Sequence, residues 1–91
     1  MASDISITNN VQLTINSDNP TVEMARTATG ARVFRINKPC QIIPALAANQ
    51  VNFPGGIVNI NGINHSGNNA NPAQNNILVI EQPNYVEIQV S

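Results

Sequence analysis

Ile77-Leu78-Val79-Ile80-Glu81-Gln82-Pro83-Asn84-Tyr85-Val86-Glu87-Ile88-Gln89-Val90 decides the fold of this chain. Two runs rich in β-branched residues flank a proline. Pro83 presets φ for the second position of a type I or II turn, so Glu81 pairs with Val86, Val79 with Ile88 and Ile77 with Val90. That register gathers one apolar face. Leu78 and Ile80 then point the other way, which predicts that strand 77–81 is covered on both sides, by a second layer or another subunit.

The same matching of apolar faces reads two further hairpins upstream. Around Asn9-Asn10, a three-residue loop (Thr8, Asn9, Asn10) pairs Ile7 with Val11 and Ile5 with Leu13, and asks for a left-handed residue that Asn10 tolerates. Around Thr29-Gly30, the loop Ala28-Thr29-Gly30 joins Thr21–Arg26 to Ala31–Asn37. It aligns Met24 with Phe34 and Val22 with Ile36, sets Glu23 across from Arg35, and puts Gly30 where a positive φ is needed. It also brings Arg26 opposite Arg32 at the end of the apolar face, a rim position.

The middle of the chain is broken by Pro39, Pro44 and Pro54. Pro44-Ala-Leu-Ala-Ala48 reads as one helical turn with proline first and Asn49 ending it, or as an edge strand. Val51-Asn-Phe53 and Ile57-Val-Asn-Ile60 read as strands joined by a Pro54-Gly55-Gly56 turn. Gly62–Asn76, with six Asn, two Gly and one Pro, reads as a long loop. Ile57–Asn64 also has the look of a single β-solenoid rung.

Twelve Ile and eight Val among 91 residues make an all-β chain the expectation. The reading is one domain over 1–91, a small antiparallel β-sandwich of seven or eight short strands built from hairpins, with a long Asn-rich loop.

Composition narrows the function. Sixteen asparagines accompany only 10% charged residues, against roughly a quarter in ordinary globular domains. A surface wetted by amides carries little like-charge repulsion against copies of itself or a large partner. The formal net charge of −1 lacks the cationic surface that follows a phosphate backbone, so nucleic acid is excluded as a partner. The start Met1-Ala-Ser-Asp4 has no basic region and no long apolar run follows, which predicts no membrane partner and synthesis in the host cytoplasm without a signal peptide.

Catalysis finds little to work with. One Cys and one His stand 25 positions apart, Cys40 in an apolar strand-like stretch that reads as a buried inert thiol, His65 in the polar loop as a solvated imidazole. The acids Asp4, Asp18, Glu23, Glu81 and Glu87 lack metal-ligand spacing. The expectation is therefore a non-enzyme with no catalytic residues, no metal and no cofactor.

Two sets of binding candidates remain. Arg26, Arg32, Arg35 and Lys38 form a basic segment suited to docking on an acidic protein surface, or to a solvated face paired with Glu23. Asn64, His65, Asn68 and Asn69, with Tyr85 as the aromatic face, are the contacts of an alternative carbohydrate- or receptor-binding module using loop 62–76. Asn64-His65-Ser66 also matches the N-glycosylation acceptor, a match expected by chance in so Asn-rich a chain.

In composition, being Asn-, Thr-, Ile- and Val-rich, poor in Lys and charge, with a single Cys, the chain resembles small all-β bacteriophage virion proteins of the capsid decoration or cement kind. That resemblance implies a structural protein at the virion surface. It would bind a major capsid or other lattice protein and self-associate, with a trimer at a symmetry axis as one arrangement.

Overall fold

The computed structural model describes residues 3–8, 12–16, 21–24, 27–28, 30–67 and 71–91. Among them the chain forms ten strands, more than the seven or eight expected: β1 (Ser3–Ile7), β2 (Leu13–Asn16), β3 (Thr21–Met24), β4 (Arg32–Asn37), β5 (Cys40–Ile43), β6 (Gln50–Pro54), β7 (Val58–Ile60), β8 (Ile63–His65), β9 (Asn76–Glu81) and β10 (Tyr85–Val90). A short 3-10 turn, Pro72–Gln74, precedes β9.

The strands make two five-stranded sheets, ordered β5-β1-β2-β7-β8 and β3-β4-β10-β9-β6. The fold is an all-β sandwich. Alternation explains how it closes, because successive side chains leave a strand on opposite faces. The first sheet contributes Ile5, Leu13, Ile15, Ile42, Val58 and Ile60 to the core, and the second contributes Phe34, Ile36, Ile77, Val79, Val86, Ile88 and Val90. Phe53 packs against this cluster while remaining partly exposed.

The β9–β10 hairpin has the register read from the sequence, with Glu81 opposite Val86, Val79 opposite Ile88 and Ile77 opposite Val90. Gln82 donates to the Tyr85 carbonyl at 2.9 Å, closing the turn across Pro83-Asn84. Leu78 and Ile80, on the other face of β9, are half-buried.

The two upstream hairpins depart from their expected registers. In β1–β2, Ile5 lies opposite Ile15 and Ile7 opposite Leu13, a shift of two residues from the predicted alignment. The shift preserves the facing of every apolar side chain, so alternation does not resist it. Thr8 donates its N–H to the Gln12 carbonyl at 3.1 Å, and its Oγ1 accepts the Gln12 N–H at 3.3 Å, closing a connection of the same three-residue length one position further along the chain. The expected partner Val11 and the left-handed Asn10 lie outside the described residues.

In β3–β4, Thr27 and Ala31 close the loop as read: the Thr27 N–H reaches the Ala31 carbonyl at 3.2 Å, and Thr27 Oγ1 accepts the Ala31 N–H at 3.1 Å. Gly30 has the expected positive φ, +86°. Beyond that closure the register slips by one, to Met24 opposite Val33, Glu23 opposite Phe34 and Val22 opposite Arg35. Matching β3 against β4 alone overlooks the other neighbour. β4 also forms a six-pair antiparallel ladder with β10, from Tyr85 opposite Asn37 to Val90 opposite Arg32. Arg26 lies outside the described residues.

Hairpins are not the whole construction. β1 runs parallel to β5, and β2 parallel to β7. The Pro54-Gly55-Gly56 segment joins strands in opposite sheets rather than neighbours in one, with positive φ at both glycines. Pro44–Ala48 is neither a helical turn nor a strand: a cis Ile43-Pro44 bond opens an irregular crossing from β5 to β6. Gly62–Asn76 is likewise only partly loop, since it holds β8, the 3-10 turn and the first residue of β9.

Ile57–Asn64 is a tight hairpin and not a solenoid rung, with Ile60 opposite Ile63 and Asn59 opposite Asn64. Its turn residues Asn61 and Gly62 have φ of +50° and +90°, the left-handed pair that a type I′ turn requires.

Candidate functional site

The two edges of the sandwich carry its most distinctive surfaces. At the β5–β6 edge, the crossing segment 44–47 arches over a cleft lined by Ile7, Pro44, Ala45, Leu46, Ala47, Val51 and Phe53. Three prolines confine the sequence here to short pieces, and β5 ends at Ile43, immediately before Pro44. The cleft holds about 170 Å³, below the roughly 300–1,000 Å³ typical of small-molecule sites. Its lining side chains are all apolar, which leaves nothing to orient a polar metabolite. Ile43, at the end of β5, is 46% exposed.

The opposite edge is β8. Ile63 stands 64% exposed there, the larger of two exposed large hydrophobics among the described residues. His65, expected as a solvated loop residue, is half-buried with its ring centroid 4.8 Å from that of Phe34. Asn64 is exposed, and its Oδ1 accepts the Asn59 Nδ2–H at 2.7 Å. Asn68 and Asn69 lie outside the described residues.

The basic candidates are distributed over different places. Arg32 lies at the rim, its guanidinium 5.5 Å from the Phe34 ring centroid and its Nη1 donating to the Ser66 carbonyl at 3.4 Å. Arg35 lies on the outer face of its sheet. Its Nε pairs with Glu87 at 3.2 Å, replacing the expected Glu23, and its guanidinium covers the Tyr85 ring at 4.4 Å. Tyr85 is thus half-buried rather than an open platform. Lys38 Nζ meets Glu81 at 3.1 Å, beside an open polar basin of about 560 Å³ that Asn49, Gln82 and Pro83 also line. Neither ion pair was legible beforehand, because each joins residues far apart in sequence.

Cys40 begins β5, half-buried and packed against the core. Burial pushes its thiol above the ordinary value of 9.0; Asp4 adds to the rise and Lys38 opposes it. A protonated thiol is a poor nucleophile and a poor metal ligand. Among the described residues no three His, Cys, Asp or Glu gather to hold a metal, and no helix is long and apolar enough to cross a membrane.

The outer face of the first sheet is different again. The registers place Ile43, Ser6, Thr14, Asn59 and Asn64 in one row across five strands. Amides and hydroxyls dominate it.

Comparison with protein-family models, with curated proteins and with solved structures finds no match for this chain.

Proposed function

We propose that this protein is a structural component that decorates or cements a larger protein lattice, attaching through apolar contacts at the β5–β6 edge. The observation that carries the reading is the cleft under segment 44–47. It is lined by apolar side chains, it is too small for a typical metabolite, and its volume suits one or two aliphatic side chains from a neighbouring protein subunit. Exposed Ile43 extends the apolar surface beside it.

The charge distribution supports apolar attachment over electrostatic docking. Arg35 and Lys38 each have a carboxylate within the chain, which reduces the cationic field available to an acidic partner. The carbohydrate-binding alternative draws less support, because the face of Tyr85 that a sugar ring would use is occupied by Arg35.

The test is density-gradient fractionation of native particles carrying the protein, followed with an antibody across a salt series. The reading expects co-sedimentation with large particles that persists at high salt, is weakened by Ile43→Ser and is lost with Leu46→Asp. Attachment that falls steeply with salt and with Arg26→Gln/Arg32→Gln, while Ile43→Ser has no effect, would replace the apolar reading with electrostatic docking. Migration only as a small free protein would overturn the lattice reading itself.

A further inference from the structure

Asn61 is the one asparagine among sixteen that is followed by glycine. It occupies the exposed tip of the β7–β8 hairpin. From this placement and the hydrogen bonds around it we infer that Asn61-Gly62 is a spontaneous deamidation site whose rate is held down by the side chain of Asn59.

The chemistry is intramolecular. The Gly62 backbone nitrogen loses its proton and attacks the Asn61 side-chain carbonyl carbon. A new C–N bond closes a five-membered succinimide, the bond to the carboxamide nitrogen breaks, and that nitrogen leaves as ammonia. Water then opens the ring at one of its two carbonyls. One opening gives aspartate; the other gives isoaspartate, in which the main chain runs through the former side chain.

Glycine makes the attack feasible, having no side chain to crowd the ring. Space around it is also available, since among the described residues no atom beyond Asn61 and Ile63 lies within 4 Å of where a Gly62 Cβ would stand.

The hairpin works against the reaction through a hydrogen bond on the attacking nitrogen. Gly62 donates its N–H to Asn59 Oδ1 at 3.0 Å, and Asn59 is itself held by the 2.7 Å bond from its Nδ2 to Asn64 Oδ1. A nitrogen whose hydrogen is engaged gives up its proton less readily, and its peptide plane is fixed in the turn. Asn59 is therefore a positioning residue that keeps the nucleophile out of reach, with Asn64 orienting Asn59. Release of that hold by local opening starts the conversion.

Either product adds a carboxylate to a surface that carries few charges, and isoaspartate also lengthens the backbone at a turn that two left-handed residues define. The hairpin presenting Ile63 would be altered by age alone, independently of whether the protein sits in a lattice.

The experiment is peptide mapping by mass spectrometry of the intact protein incubated in mildly alkaline buffer, with isoaspartate quantified separately. Wild type should show its earliest amide-to-acid conversion at Asn61. Asn59→Ala should speed conversion at Asn61 several-fold while leaving the other asparagines unchanged, and Asn64→Ala should do so to a smaller extent. Wild-type protein in urea should convert at Asn61 faster than the folded protein does, a comparison that needs no variant to fold. Earlier conversion at another asparagine would overturn the site. An Asn61 rate unchanged by Asn59→Ala, or no faster in urea, would overturn the restraint.

Discussion

β10 and β2 hold corresponding middle places in the two sheets, yet they are bound in different ways. β10 lies between two antiparallel partners, β4 and β9, with long ladders on both sides. β2 has an antiparallel neighbour in β1 and a parallel one in β7, with only three or four pairs on each side. The turn leading into β10 is set by Pro83, whereas the connection into β2 closes through an exposed threonine hydroxyl. A stiff turn fixes which residues meet; alternation alone fixes only which face they share. The longer ladders and the proline-set turn point to the second sheet as the rigid half of the sandwich, on which the first, with its parallel pairings, is expected to assemble.

The largest effect should follow from disturbing the rigid half. Ile88 is fully buried at the centre of β10, opposite both Phe34 and Val79. Ile88→Ala should cost about 2–5 kcal/mol in urea unfolding, the range for removing a large aliphatic side chain from a packed core. Ile15→Ala, at an equally buried place on β2, should cost clearly less. Equal losses would break the proposed asymmetry between the sheets.

Gly30→Val comes next. The loop between β3 and β4 holds Gly30 at φ +86°, with its N–H donated to the Thr27 carbonyl at 2.9 Å. A β-branched residue resists that backbone region, so the substitution should cost well over ~1 kcal/mol. Unaltered stability would show that the loop can rebuild without a left-handed residue, and that the β4–β10 ladder alone organises this part of the sheet.

How much of this was legible in the sequence follows the same physics. Pro83 restricts its own φ, so the β9–β10 register could be derived from local rules. Gly30 announces its turn for the opposite reason, since a residue without Cβ tolerates the positive φ that the loop needs. Thr8 and Gln12 carry no such restriction, and a two-residue shift leaves every apolar side chain on its proper face. The one-residue slip in β3–β4 is hidden for another reason: β10, about fifty residues downstream, pairs with the other side of β4. Asn61-Gly62 was a local signal open to reading, since Asn-Gly flanked by strand residues marks a type I′ hairpin. The Asn-and-Ile pattern of Ile57–Asn64 masks it by imitating a solenoid rung, and a loop reading that starts at Gly62 splits the pair. The apolar cleft depends on where segment 44–47 crosses between sheets, and nothing in its Ala- and Pro-rich composition specifies that path.

Thr8→Val should have a smaller effect than Gly30→Val. The substitution keeps the β-branched shape and removes the hydroxyl that accepts the Gln12 N–H. The loss should be at or below about 1 kcal/mol, because the site is exposed and water can replace the bond. Read by hydrogen exchange, protection should fall at Ile7 and Leu13 while β9–β10 stays unchanged. Loss of protection in both hairpins together would mean that β1–β2 is not separable from the rigid half.

The smallest effect belongs to the ion pair on the outer face of that rigid half. Arg35 on β4 and Glu87 on β10 are directly opposite in the ladder, so the bond between their side chains bridges two strands that ten other aligned residues, five of them core members of those strands, already hold together. The Arg35 side chain is 39% exposed, which screens the pair with solvent and salt. A double-mutant cycle with Arg35→Gln and Glu87→Gln should return a coupling of about 0.2–1 kcal/mol that shrinks as salt is added. Arg35 also covers Tyr85, so Arg35→Gln alone should lose slightly more than Glu87→Gln, and a Tyr85→Leu background should remove that excess. A coupling well above this range, insensitive to salt, would mean that the outer face is shielded from water in solution by a second molecule, and the rigid sheet would then be the surface on which the assembly forms.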